Sequence, residues 1–362
     1  MNICLLTIDL STVGGINKVT FDLARDLSDL GNKVLVCGIV NGNKKTFYDN
    51  NANIRCLFEE ELPMKKYIVK GSKKLLDILK EEKTDVLLLQ GEAAGLLGAF
   101  TKMKYNKCKY VYCDHGALTY DISGFRKVMT IITLWVCGKF TDYSVFETNK
   151  GKNDFQKLVG KNECKYRYIY NYGNADVETV KPNDKIKLVT VGRMTSQKGF
   201  DLAVEVAKRI RTSKLWTWDF IGDGEDFDEI EAKLRINNLQ DRINLLGSVK
   251  ELEHKYKDYY LMICTSRHEG LPMTLIDAKF AKLPIISFDI NTGPNEIILD
   301  KINGNLVSPF DVEEMARITS EIIENKQIRD DYVIHAWDNK YKFDKINVLN
   351  DWKSFLEEIT DE

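Results

Sequence analysis

Arg193 and Lys198 follow an apolar run, Ile186–Val191, that ends at Gly192, and they stand just ahead of a helical pattern that opens at Phe200. A glycine at a strand end lets the chain turn. A planar guanidinium, a compact ammonium and the free N–H groups of a helix start can then together neutralise a diphosphate. A solvated basic turn would use the same residue types. A second charged stretch, TSRHEGLPMTLID over 265–277, follows the apolar run Leu261–Cys264. Pro272 suits a first helical turn, where its missing N–H costs nothing. Glu269 then lies in the preceding loop and Asp277 about a turn and a half into the helix, so two carboxylates can converge on one crevice. Gly270 and the backbone amides after it can donate to oxygens there. A helix-start acid beside an unrelated surface acid is the plainer alternative.

The first half has sparser candidates. Gly14 and Gly15 follow the first apolar run, and such a pair lets backbone approach a ligand closely, although it is also common in ordinary loops. His115 comes directly after the run Tyr110–Cys113 and one residue, and Asn171 lies in the segment IYNYG over 169–173. Either could equally be a satisfied loop residue.

These residues need elements to position them. Short apolar runs alternate with helical patterns along the whole chain: Asn2–Ile8, Lys33–Gly38, Asp85–Leu89 and Tyr110–Cys113 in the first half, and Ile186–Val191, Trp218–Ile221, Ile243–Leu246, Leu261–Cys264 and Pro284–Ser287 in the second. A longer irregular stretch follows Gly38, and 70–83 reads as helix. Runs apolar on both faces suit parallel sheets covered by helices on each side, and such sheets bind ligands at the carboxyl ends of their strands. The polar segment 173–184, with Pro182, reads as a linker. A length of 362 residues suits two domains of about 170 each.

Composition excludes several classes. A net charge of −2 argues against a nucleic-acid binder. Cys4, Cys37, Cys56, Cys108, Cys113, Cys137, Cys164 and Cys264 are scattered and form no CxxC pair, so reduced core thiols are expected rather than a zinc site or disulfides. The N-terminus opens on a strand without the marks of a signal peptide. The apolar run Val128–Val136 is about half a membrane span. A cytoplasmic protein is expected, free or peripheral to the inner face of the plasma membrane.

The second half, over 186–310, closely resembles the GT-B glycosyltransferases of the large retaining family 4, whose signature is a Glu, seven residues and a second Glu. The segments IGDGE at 221–225, LGSV at 246–249, TGPNEII at 292–298 and GNLV at 304–307 belong to the resemblance. It implies an α/β fold of two Rossmann-like domains with parallel sheets facing across a cleft: an acceptor-side domain over 1–172, a nucleotide-sugar-binding domain over 173–345, and a C-terminal helix over 346–362 that crosses back to the first domain. It places Arg193 and Lys198 on the donor diphosphate, with Gly14 and Gly15 as the glycine loop beside it. Glu269 would bond the transferred sugar, and Asp277 would take the ribose hydroxyls. Gly270, Leu271, Pro272 and Thr274 would border the nucleotide sugar, Ser248 and Val249 would meet the base, His115 would face the sugar's primary hydroxyl, and Asn171 would lie at the junction. Asp277 replaces the usual Glu and shortens reach by about 1.5 Å.

Enzymes of this kind have no obvious nucleophile on the sugar's far face, and the leaving phosphate helps deprotonate the acceptor. No cofactor beyond the nucleotide-sugar co-substrate and no metal is expected. Asp226 and Asp228 match a DxD metal pattern but read as helix capping. By the same resemblance the donor is a UDP-sugar and the acceptor a saccharide or lipid-linked saccharide of an envelope or capsule polysaccharide. The basic stretch Met64–Leu76 and the run Val128–Val136 after Arg126 and Lys127 could each rest on an anionic membrane. Three rivals compete with this reading. A nicotinamide-dependent dehydrogenase would need a complete G-x-G-x-x-G, which is absent. A sugar-nucleotide 2-epimerase would share the fold, and a donor-binding but inactive partner subunit would share the site.

Overall fold

The computed structural model describes residues 1–11, 14–41, 53–60, 67–116, 124–160, 165–173, 179–180, 185–249 and 252–361. Most of the expected linker, Cys164 and the start of the basic stretch at Met64 lie outside the described residues. The chain forms two compact units, Met1–Asn171 with Val348–Glu362, and Tyr172–Asn347.

The first unit is built on β1 (Asn2–Asp9), β2 (Lys33–Val40), β3 (Asn53–Phe58), β4 (Val86–Gln90), β5 (Lys109–Asp114), β6 (Tyr143–Phe146) and β7 (Tyr166–Tyr168). These strands are hydrogen-bonded in the order β3-β2-β1-β4-β5-β6-β7, and every pair is parallel. Alternate residues bury on opposite faces. Cys4, Leu6, Leu87 and Leu89 pack with Leu75, Leu79 and Leu97 of the helices Ser72–Glu81 and Glu92–Lys102. Ile3, Leu5 and Leu88 are buried on the other face, as are Leu23 and Leu27 of the helix Gly15–Asp29. The helices Gly124–Phe140 and Asn149–Val159 complete the run before β7.

The second unit contains β8 (Ile186–Val191), β9 (Trp216–Ile221), β10 (Ile243–Leu245), β11 (Leu261–Cys264), β12 (Ile285–Phe288) and β13 (Gly304–Val307), in the parallel order β10-β9-β8-β11-β12-β13. Its core joins Leu188, Trp218, Phe220 and Ile263 to Phe200, Ala203 and Ala207 of the helix Phe200–Arg209 and to Met315 and Ile322 of the helix Val312–Glu324.

Two expectations are corrected, the irregular stretch after Gly38 and the capping at Asp226. The stretch after Gly38 contains β3, an edge strand whose Arg55 bonds Glu81 and Glu82, so no continuous apolar run marks it. The C-terminal helix, Lys345–Asp361, buries Val348, Trp352, Phe355, Leu356 and Ile359, while Ile346 is exposed. Asp226 holds the N-cap position of the helix Phe227–Ile236 but makes no side-chain cap bond, because the backbone there has already turned (φ −91°, ψ 2°). Asp228 and Glu229 still face the helix dipole from the first turn. Cys4, Cys37, Cys108, Cys113, Cys137 and Cys264 are free and buried, and burial pushes the Cys37 thiol up to about 12.

Candidate active site

In the second sheet the strand order reverses between β8 and β11, and a parallel sheet opens a crevice at that point. Lys198 ends a short 3₁₀ turn, Ser196–Lys198, after β8, and Glu269 lies in the loop after β11. Lys198 Nζ sits 2.5 Å from Glu269 Oε1, which also accepts from Ser266 Oγ at 2.6 Å. Thr292 Oγ1 donates to the Glu269 carbonyl at 2.5 Å. Glu269 is only 6% exposed, and a buried carboxylate needs such partners. Ser266 and Thr292 were not singled out in the sequence. Their signal was weak, since a hydroxyl beside a carboxylate has no characteristic spacing.

The two loops are stapled together. Arg267 N donates to Gln197 O at 2.8 Å, and Gln197 Nε2 donates to His268 O at 3.0 Å. The Arg267 guanidinium forks onto both Asp201 oxygens at 2.8 and 2.7 Å. Gly199 crosses so close to β11 that a Cβ would stand 2.1 Å from the Thr265 carbonyl oxygen, at φ +65°. Arg193 is exposed beside buried Met194. Gly222, at φ +142°, brings its backbone against the Gly192 carbonyl, where a Cβ would be 1.8 Å away. The glycines at 222 and 224 therefore pack strand ends together. Gly222 N also bonds Gly247 O at 2.8 Å, which ties the exposed Ser248 and the half-buried Val249 to the same row of strand ends.

Asp277 lies on the helix Met273–Phe280, half-buried, as is Thr274, while Leu275 and Ile276 face the core. Gly270 is half-buried, and Leu271 and Pro272 are buried. Pro272 holds the N-cap rather than the first helical position. Its carbonyl accepts from Leu275 N at 3.0 Å, so the helix starts one residue later than expected.

In the first sheet the order reverses between β1 and β4. Gly14 caps the helix Gly15–Asp29 in an extended conformation, and a Cβ on Gly15 would meet nothing within 4 Å, so the backbone there is open to approach. Asn17 ties this helix to β1, accepting from Thr7 Oγ1 at 2.9 Å and donating to Asp9 O at 2.6 Å.

A second polar group lies farther along the same strand ends. Gln90 ends β4, His115 follows β5, Glu147 follows β6 and Asn171 comes after β7. His115 Nδ1 lies 2.6 Å from Glu147 Oε1, and His115 Nε2 lies 2.5 Å from Gln90 Oε1. Asn171 Nδ2 donates to the same Glu147 oxygen at 2.7 Å. Next to His115, burial pushes the Asp114 carboxyl up to about 6, against the pull of a 2.7 Å bond from Tyr112 OH. Burial acts to lower the His115 pKa, but the Glu147 carboxylate outweighs it and the net direction is up. The sequence pointed to His115 and Asn171 separately, and the structure joins them through Glu147.

Residues 13–174 match the family model described as Glycosyltransferase Family 4, and 173–336 match that of Glycosyl transferases group 1. The chain belongs to the GT-B glycosyltransferases. AmsD, an amylovoran biosynthesis glycosyltransferase of Erwinia amylovora, is 26% identical to this glycosyltransferase over 97% of this chain and 99% of its own length. An uncharacterized glycosyltransferase of Haemophilus influenzae is 24% identical over 96% and 98%. Among solved structures, Anabaena HepE in complex with UDP-glucose superposes with a TM-score of 0.86 at 17% identity, covering 99% of this chain and 100% of that one. At that identity the likeness shows the fold: two parallel sheets with helices on both faces, as in other GT-B glycosyltransferases.

Proposed function

We propose that this glycosyltransferase moves a hexosyl group from a UDP-sugar to a saccharide or lipid-linked saccharide acceptor, with retention at the anomeric carbon, in the assembly of an envelope or capsule polysaccharide. The observation that carries the reading is the Lys198–Glu269 pair at the switch point of the second sheet. An ammonium and a carboxylate held at a strand-end crevice suit the diphosphate and the hydroxyls of one donor. Arg193 adds a second cation to the leaving diphosphate, and Asp277 takes the ribose. Oriented cations then supply the charge stabilisation that bond cleavage needs, and the departing phosphate accepts the acceptor's proton. The site needs no metal in this reading. The UDP-glucose in the HepE complex and the polysaccharide named for AmsD support the donor and product classes.

No helix of the described residues is long and apolar enough to cross a membrane. The helix Gly124–Phe140 nevertheless exposes Phe125, Val128, Met129, Ile132 and Trp135 at spacings of three and four, and it carries Arg126, Lys127 and Lys139 with no acid. This face suits the surface of an anionic bilayer, where a lipid-linked acceptor would be presented.

A thermal-shift panel of nucleotides and nucleotide sugars on wild type, Arg193→Ala and Glu269→Ala tests the proposal. A ligand at about 100 times its Kd stabilises by about 2.7 kcal/mol. UDP should shift wild type and fail on Arg193→Ala, and no shift by any nucleotide would overturn the assignment. Incubation of a UDP-sugar without acceptor distinguishes transfer from 2-epimerisation, and the anomeric coupling of the product reports retention.

A further inference from the structure

His115 has neighbours on both ring nitrogens, and the two neighbours differ in kind. Glu147 Oε1 accepts from Nδ1, while Gln90 presents Oε1 to Nε2 and leaves its own Nε2 without a hydrogen-bond partner although buried. The Gln90 amide can rotate. In the orientation described it faces a protonated Nε2, and after a half-turn it would donate to an unprotonated one, so one amide atom lacks a partner either way. Gln90 therefore does not decide the state of the ring, and Glu147 is the partner that can. Its side chain is 11% exposed and that of His115 is 7% exposed, and the same carboxylate oxygen holds Asn171.

We propose that Glu147 is the positioning residue of His115: its carboxylate, shared between His115 Nδ1 and Asn171 Nδ2, fixes the ring and its Nδ1 proton, so that Nε2 alone is left to exchange partners. A sugar hydroxyl reaching Nε2 displaces Gln90 from it, while Glu147 keeps the other nitrogen in place. Four side chains from the ends of four neighbouring strands, β4 to β7, thus act as one unit. The groups that face the ring are Glu147 after β6, Asp114 on its own strand and the neutral Gln90, with Asn171 bonded to Glu147 and Glu92 acting on Asp114. A carboxylate against Nδ1 stabilises the charged imidazolium. The bonding is independent of the proposed function, but its effect on turnover rests on His115 being a site residue.

Four histidines make the test direct. NMR titration of His115, compared with His254, His268 and His335, reads the link itself. In Glu147→Gln the His115 midpoint should fall while the others stay, and Glu147→Asp should restore part of the shift. In UDP-sugar turnover, Glu147→Gln should lower kcat roughly tenfold with KM little changed, as loss of an outer partner does for metal-bound histidines. The pH limb that His115 controls should move down with it. In a His115→Ala background the same substitution should add no further loss. An unmoved midpoint in folded Glu147→Gln, or a loss that adds fully to that of His115→Ala, would overturn the inference. Full activity of His115→Ala would instead remove the functional role of His115, and the midpoint shift would still decide whether Glu147 governs the ring.

Discussion

Lys198 Nζ and Glu269 Oε1 are ion-paired at 2.5 Å, so the cation expected at a diphosphate and the carboxylate expected at a sugar hold each other. A donor that reaches both must share the pair. The pairing orders two long side chains and so lowers the ordering cost of capture.

Removing the cation therefore has two effects. Lys198→Ala should lose UDP binding and also destabilise the fold by about 2 kcal/mol, because the Glu269 carboxylate is left with the Ser266 hydroxyl alone. The lysine side chain is 21% exposed, which keeps the cost below that of a fully buried pair. Glu269→Gln should retain UDP affinity within a few-fold and lose about 100-fold in kcat. Urea unfolding, calorimetry with UDP and turnover rates separate the two effects, and equal losses of affinity in both variants would contradict this division of roles.

Asp277 stands one methylene short of the carboxylate usual in this family. Asp277→Ala should weaken UDP binding about tenfold, the worth of a charged hydrogen bond. Asp277→Glu should match or exceed wild type if the ribose is the partner. A nucleobase-free ligand such as pyrophosphate should bind all three equally, and a loss there would point to a different contact.

Gly222 has no room for a side chain. Gly222→Ala puts a Cβ 1.8 Å from the Gly192 carbonyl oxygen at φ +142°, and both strain and clash should cost about 3 kcal/mol or more. The midpoint of urea unfolding should fall accordingly. An unchanged midpoint would mean that the ends of β8 and β9 separate readily.

Lys279 is buried on the helix Met273–Phe280, and burial pushes its ammonium down to about 7, with Asp338 acting against the shift and Lys342 adding to it. The sign follows from proton counts. Below about 7 both states hold the proton and this residue adds no pH dependence, and from there to about 10.5 the unfolded chain binds more, so its contribution to stability rises with pH. Lys279→Met should remove that slope and stabilise most at neutral pH and below, on the order of 3 kcal/mol. Unfolding of both chains at pH 6, 7.5 and 9 measures the difference, which should shrink as pH rises.

The exposed face of the helix Gly124–Phe140 should bring the chain to vesicles containing anionic phospholipid at low salt. Ile132→Asp with Trp135→Glu should abolish binding without changing turnover on a water-soluble acceptor. Equal sedimentation of wild type and variant with the vesicles would sink the membrane proposal.

Much of this was legible in the sequence, and the reason is local. Runs such as Val86–Leu89 are buried on both faces and read as strands of a covered parallel sheet without any knowledge of their neighbours. Glu269 and Lys198 could be named because each lies next to a strand end and a helix start, and those boundaries are set by nearby glycines and Pro272. The edge strand β3 was missed because Arg55 interrupts its apolar pattern.

The sequence by itself determined the residue types at the site and the order of the elements that carry them, since strand, turn and helix preferences act over a few residues. Only the tertiary structure decided which strand ends adjoin. Residues 71 positions apart became the Lys198–Glu269 pair because β8 and β11 are neighbours. Gln90, His115, Glu147 and Asn171 became one hydrogen-bonded row because β4 to β7 lie side by side. Strand pairing is set by how whole faces pack, and no spacing within the chain encodes it.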